Sequence, residues 1–350
     1  MATAGAKPVD CKLARVGSLN LEDDSCNYPE YTGVVVLPGD MLMVVDSNAS
    51  NTNASKLCLC SCHDGTLLAT SDRLQVQPHD VCVFDESETR VAMTRLDGKI
   101  EILSFKFTGR SAAIRQVRIL DATAVFEYCH GVRALKSRKQ LVVSGGKKDK
   151  DTKVNLICWG ILSSNDGHVH AVHKICKSGG GCYASSSYLA TSADDRMVFI
   201  SCCTGTHYRD NNGVYAFDVI NGKRKFVYHH KDLTSPKGIS VDREGFIYVC
   251  NWYPSCIHQL TVRGEPVTIH ERGMPPDPLA MYWKESQKEL YVTSMGSKEV
   301  WRLNRMLSDQ QEDHTAPEVL VSEERKQPVF EKTSTGIEQK VGLTPFFSTR

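Results

Sequence analysis

The stretch from Pro236 to Leu260 narrows the fold more than any other part of the chain. Ile239 and Val241 alternate with small or polar neighbours, which is the spacing of a strand. Asp242 to Gly245 has the residues of a tight turn, with Gly245 free to take positive φ. Phe246-Ile247-Tyr248-Val249 is apolar on both faces and predicts a strand buried on both. Asn251 to Ser255 is a polar loop, and Ile257 to Leu260 begins a third strand. Three short antiparallel strands in about 25 residues cannot bury their own face. Such a unit folds only beside copies of itself.

The chain contains those copies. The first runs through Thr32 to Leu37, a Pro38-Gly39-Asp40 turn, Met41 to Asp46 and Lys56 to Cys62, with an Asp64-Gly65 hairpin turn before Thr66 to Thr70. The second has Pro78 to Val83, Arg90 to Thr94 and Ile100 to Phe105. The third has Cys129 to Val132, Gln140 to Ser144 and Val154 to Trp159, with a basic loop from Gly145 to Lys153. A degenerate fourth has Ser187 to Thr191, Met197 to Ser201 and Gly213 to Asp218. The opening stretch is the fifth. Pro278 to Trp283, Glu289 to Thr293 and Lys298 to Leu303 form the sixth.

Val34, Val81, Val132, Leu189, Ile239 and Met281 are equivalent positions, spaced by roughly 42 to 57 residues, the range of a four-stranded blade. The prediction is an all-β, six-bladed propeller of four-stranded antiparallel blades. A length of 350 residues would ordinarily suggest about two domains, but one ring of blades uses nearly all of it. The ring spans residues 12 to 305. Lys12 to Leu21 is a spare strand ahead of the first repeat, and the sixth repeat has three clear strands. The economical closure pairs the two, leaving no strand unpaired before Val34. Glu318-Val319-Leu320-Val321 is a rival closing strand. Residues 1 to 11 and the tail from 306 to 350, apart from a strand near 318 to 322, are expected to be disordered.

The repeat at Pro236 resembles the NHL repeat, whose pattern is roughly P-x-G-I-x-V-D-x-x-G-x-I-Y-V-x-D/N followed by a polar loop and a further strand. Cys250 stands where a small residue is usual. The order of Cys26, Gly33-Val34, Leu37, Asp46 and Lys56-Leu57, then Pro78-His79-Asp80-Val81, then Cys129-His130-Gly131 with Leu141 to Ser144, is similar to the C-terminal propellers of molluscan-type tripartite-motif proteins. The resemblance covers about residues 12 to 305 and implies a target-selecting domain, for protein or RNA, of a ubiquitin-ligase family. The family's RING and B-box need paired Cys/His zinc ligands. No C-x-x-C occurs in this sequence, and no heptad segment precedes the propeller. Set against the resemblance, the expectation is a reader without the ligase part, whether as a fragment, a truncated gene model or a stand-alone propeller.

Other chemistry finds less support. Cys58, Cys60 and Cys62 share one face of a strand, spaced about 7 Å apart along it, too far for one tetrahedral zinc without bending. They read as packing thiols, as do most of the 14 cysteines, including Cys82, Cys158 and Cys250. No nucleophile elbow or fixed triad spacing is present. Metal-dependent lactonase propellers converge Glu, Asn and Asp on calcium at the channel. The strand ends here are Asp46, Thr94, Ser144, Ser201, Asn251 and Ser294, with one carboxylate and one amide. No catalytic residue, metal site or cofactor is expected.

A net charge of +1 argues for no global attraction to nucleic acid or membrane. No apolar run reaches the ~18 residues that span a bilayer. Met1 to Pro8 lacks the apolar core of a signal peptide, so a cytoplasmic protein is expected. The binding reading rests on loops. In a meander blade, the loop after the second strand and the connector to the next blade emerge on one rim. There the sequence places Asn48 to Ser55, Arg95, Lys147-Lys148, Tyr208-Arg209 and Asn251-Trp252-Tyr253. Aromatic and cationic residues together suit a protein partner, and RNA as the alternative.

Overall fold

The computed structural model describes residues 11–21, 29–47, 55–71, 74–85, 89–108, 111–148, 155–178, 186–204 and 211–307. An N-terminal strand, β1 (Cys11–Asn20), is followed by six meanders. Blade 1 contains β2 (Tyr31–Leu37), β3 (Met41–Asp46), β4 (Lys56–Ser61) and β5 (Leu67–Thr70). Blade 2 contains β6 (Pro78–Asp85), β7 (Arg90–Arg95), β8 (Lys99–Thr108) and β9 (Ser111–Asp121). Blade 3 contains β10 (Tyr128–Leu135), β11 (Gln140–Lys148), β12 (Asn155–Ser163) and β13 (Val169–Ser178). Blade 4 contains β14 (Ser186–Thr191), β15 (Met197–Cys203), β16 (Gly213–Asp218) and β17 (Arg224–Tyr228). Blade 5 contains β18 (Pro236–Val241), β19 (Ile247–Asn251), β20 (Cys256–Leu260) and β21 (Pro266–His270). Blade 6 contains β22 (Pro278–Lys284), β23 (Glu289–Ser294) and β24 (Glu299–Leu307).

Each blade is a four-stranded antiparallel sheet, and the six form the ring of a β-propeller. Blade 6 takes its fourth strand from the N-terminus, because β1 lies antiparallel on β24 from Cys11 opposite Leu307 to Asn20 opposite Glu299. Glu318 to Val321 lies outside the described residues.

The inner strands explain the repeat pattern. In β18, Pro236 faces Asn251 and Ile239 faces Val249, so Lys237 and Gly238 together oppose the single residue Cys250. This is a β-bulge. The same insertion sets His79-Asp80 against Thr94, His130-Gly131 against Ser144 and Leu279-Ala280 against Thr293. The bulge presses the inner strand onto the next blade. A Cβ on Gly238 would lie 2.8 Å from both Ala280 Cα and Met281 N, and one on Gly131 would lie 2.9 Å from Leu189 N. Backbone cannot give way as a side chain can, so a small residue is required there.

The residue opposite the bulge ties neighbouring blades. Thr94 Oγ1 accepts the Asp80 N–H at 2.9 Å and donates to the carbonyl of His130 in the next blade. Ser144 Oγ accepts the Gly131 N–H at 3.1 Å and donates to Ser187 O at 2.7 Å. Thr293 Oγ1 accepts the Ala280 N–H at 3.0 Å and donates to Tyr31 O at 2.7 Å, joining the last blade to the first. Ser201 donates likewise to the Lys237 carbonyl. Each hydroxyl satisfies bulge backbone that the ladder leaves open.

Between the sheets the apolar side chains form the core. Cys58, Cys60 and Cys62 pack there with Val34, Leu42 and Tyr291, and burial pushes the Cys62 thiol up to about 11. These sulfurs act as small apolar groups.

Candidate interaction surface

The loop between β19 and β20 displays aromatic rings on a braced backbone. Asn251, fully buried, is the brace. Its Oδ1 accepts the Ser235 N–H at 2.9 Å. Its Nδ2 donates to Asp232 O at 2.6 Å and lies 3.0 Å from both Tyr253 O and Pro254 O. The Trp252 N–H donates to Ser235 O at 2.9 Å, and the Ser255 hydroxyl accepts the Asp277 N–H at 2.9 Å. Thr234 adds a hydroxyl bond to the Tyr253 carbonyl, and the Tyr253–Pro254 peptide is cis. The connectors from blades 4 and 5 thus clamp the loop. On it Trp252 is 36% exposed and Tyr253 is 73% exposed. Lys237 Nζ sits 5.7 Å from the centroid of the Trp252 ring, within cation–π range.

Asn251 is therefore not a contact residue, as its place in the polar loop had suggested. An amide beneath a tight loop can satisfy several inward-facing backbone groups at once, and burial follows from that role. Arg95 stands on blade 2, across the ring from Trp252. Its guanidinium is bidentate to Asp97 at 2.7 and 3.2 Å, with Glu101 at 3.7 Å, so its charge is engaged within its own hairpin. Lys147 is half-buried near the end of β11, opposite Leu156. Lys148 is described only as the last residue of that strand. Tyr208 and Arg209 lie outside the described residues, as do Asn48 to Ala54. Of the predicted surface, the structure unites Asn251, Trp252 and Tyr253.

A second group went unrecognised in the sequence. The second position of each inner-strand motif is Thr32, His79, His130, Ser187, Lys237 and Leu279. His79, from blade 2, lies 4.6 Å centroid to centroid from His130 of blade 3 and 4.9 Å from Tyr188 of blade 4. Only a side chain directed toward the ring axis reaches two successive blades. The Ser187 N–H donates to His130 Nδ1 at 3.3 Å. Burial, then the charges of His130 and Lys237, hold His79 well below the usual histidine range. It is neutral at pH 7 and packs against these rings of the next two blades. The signal was the shared position: His79 and His130 stand where Lys237 stands in the Pro236-Lys237-Gly238-Ile239 motif.

Four of the other strand-end residues have structural roles. Thr94, Ser144 and Ser201 tie blades, and Asp46 Oδ1 accepts the Glu30 N–H at 3.0 Å. Among the described residues, no three His, Cys, Asp or Glu side chains are grouped to hold a metal ion. No helix among them is long and apolar enough to cross a membrane. At the other end of the inner strands, Val36, Val83, Ala134, Thr191, Val241 and Tyr282, one from each strand, are among the residues that line two clefts of about 340 and 410 Å3.

No protein-family model matches the chain, and no curated protein does. Solved structures do. A structural-genomics protein of unknown function from Bacteroides thetaiotaomicron superposes with a TM-score of 0.60 at 12% identity, covering 85% of this chain and 76% of that one. The β-propeller domain of Cps50 (Swd1) from Myceliophteria thermophila gives 0.53 at 10% identity, over 78% and 83%. A chain of a nidogen/laminin complex gives 0.50 at 12%, over 69% and 80%. At these identities the likeness is one of fold, a β-propeller.

Proposed function

We propose that this chain is a non-catalytic interaction module, a propeller that recognises a protein partner through the rim bearing Trp252 and Tyr253. The observation that carries the reading is the exposure of these two rings on a loop whose backbone is already fixed by Asn251, Thr234 and Ser255. Exposed aromatics on a pre-ordered loop lose little further entropy on binding, which is the usual character of an interface anchor. The propeller fold is consistent with such a scaffold. The P-x-G-I pattern and its order along the chain support a narrower reading. In it the module serves a tripartite-motif-like protein of the ubiquitin pathway, works in the cytoplasm and selects a target without itself being an enzyme.

Trp252→Ala and Tyr253→Ala test the proposal. Partners captured by the full chain, identified by crosslinking mass spectrometry, should be lost together in both variants. Trp252→Ala should cost about 2 kcal/mol, roughly thirtyfold in Kd. Capture that persists in both variants would remove this rim from consideration. Loss of RNA crosslinking instead, with steep salt dependence, would replace the protein partner by RNA.

A further inference from the structure

The hairpin joining β12 to β13 places two imidazoles side by side on the surface of blade 3. His168 immediately precedes β13 and His170 lies within it, and both are exposed. Their ring centroids are 5.3 Å apart, with the planes at 82°. Residues i and i+2 of a regular strand stand about 6.5 Å apart on one face. These rings are closer than that spacing, and the register accounts for it. Val169 faces Leu162 and Ala171 faces Ile161, so His170 is the extra residue of a β-bulge. A bulge re-aims the side chain that it carries, here toward His168.

The backbone beneath the pair is fixed. The Ser163 N–H donates to the His168 carbonyl at 2.8 Å, and the Gly167 N–H donates to the Ser163 carbonyl at 3.0 Å. The His168 N–H donates to Asp166 Oδ1 at 3.0 Å. Arg118 of blade 2 donates to the Asn165 carbonyl and holds the turn from the neighbouring sheet. Bonds from the His168 N–H and the Ser163 hydroxyl hold the Asp166 carboxylate below its usual range, so a negative charge stands beside His168. Among the described residues, no hydrogen bond engages a ring nitrogen of His168 or His170.

We propose that His168 and His170 bind a divalent transition-metal ion of the zinc and copper class, through one nitrogen of each ring, with water completing the coordination. Imidazole is a favoured ligand of these ions. An ion about 2.0–2.1 Å from one nitrogen of each ring, in tetrahedral arrangement, sets the two centroids about 5 Å apart. The observed 5.3 Å matches, so binding asks only for rotation of two exposed rings about soft torsions. The Asp166 charge favours a cation at this place. Calcium and magnesium take oxygen ligands, which the two imidazoles do not supply. With two protein ligands and open positions, this is an exchangeable surface site and not a structural cage.

The test is isothermal titration of the untagged full chain, first freed of metal by a chelator, with Zn2+ and in parallel with Cu2+. Each ion should bind saturably, copper more tightly than zinc. His168→Ala and His170→Ala should each weaken binding at least about tenfold, since loss of an outer-shell partner alone costs that much. His63→Ala, at an exposed histidine in the β4–β5 hairpin of blade 1, should leave the titration unchanged. Electron paramagnetic resonance of the copper form should show two nitrogen ligands in the parent chain and one in each variant. That readout reports the ligands themselves, so a variant that folds poorly does not imitate it. Undiminished binding in the His168→Ala/His170→Ala double variant, a copper spectrum without two nitrogens, or the absence of saturable binding would each overturn the proposal.

Discussion

Replacing Asn251 by alanine should weaken both the fold and the presentation of Trp252. The side chain is wholly buried, so every bond it makes is protected from water. Its oxygen takes one backbone N–H, and its two amide protons are shared among the carbonyls of Asp232, Tyr253 and Pro254. Two protons make two good bonds, giving three with the Ser235 contact. At about 1 kcal/mol net for each, and with buried partners left unsatisfied, Asn251→Ala should cost about 3 kcal/mol. That is a large share of the roughly 5–15 kcal/mol that holds a typical domain together. Asn251→Asp should be no better. It keeps the acceptor for Ser235 but turns a carboxylate toward three carbonyl oxygens. Urea denaturation followed by circular dichroism measures the loss, and hydrogen exchange at the Ser235 and Trp252 amides measures the loop. A loss under about 1 kcal/mol, with exchange at both amides unchanged, would refute the brace.

Two further outcomes follow from the same geometry. Burial depresses His258 from 6.5 to about 4 in the folded chain, and its Nδ1 lies 3.0 Å from the Tyr228 hydroxyl. Below 6.5 the unfolded state takes up the proton first, so stability is full above that pH and falls as pH drops toward 4. The loss attributable to this group is about 3 kcal/mol, with His79 acting in the same direction, and a His258→Gln variant whose stability falls just as steeply over that window would exclude the assignment. Gly238→Ala should cost about 1–3 kcal/mol in the same denaturation assay, because its Cβ would meet the backbone of Ala280 and Met281. Gly17→Ala, on β1 with nothing within 4 Å, is the control that should be nearly neutral.

The local periodicity of the chain was enough to find the inner three strands of the blades. β18, β19 and β20 fall on the alternation of Ile239 and Val241, the apolar run through Val249, and Ile257 to Leu260. These strands are buried on both faces, so their sequence carries the signal directly. The outer strands β9, β13, β17 and β21 were not legible as strands. On β9 Arg115, Val117 and Ile119 are all exposed, and a strand at a sheet edge with a solvated face shows no apolar run.

The roles of polar residues were decided only by the tertiary structure. Alternation reports that a side chain is buried but not what lies against it. Thr94 and Asn251 both read as strand ends open to a channel, yet one bonds the next blade and the other holds a loop from beneath. Thr293 meets its carbonyl partner Tyr31 across 262 residues of sequence. Such pairs form when the ring brings its two ends together, and no pattern within a single repeat contains the partner. Burial of apolar strands is a local property that the sequence carries in full, whereas hydrogen bonding between blades belongs to the closed ring.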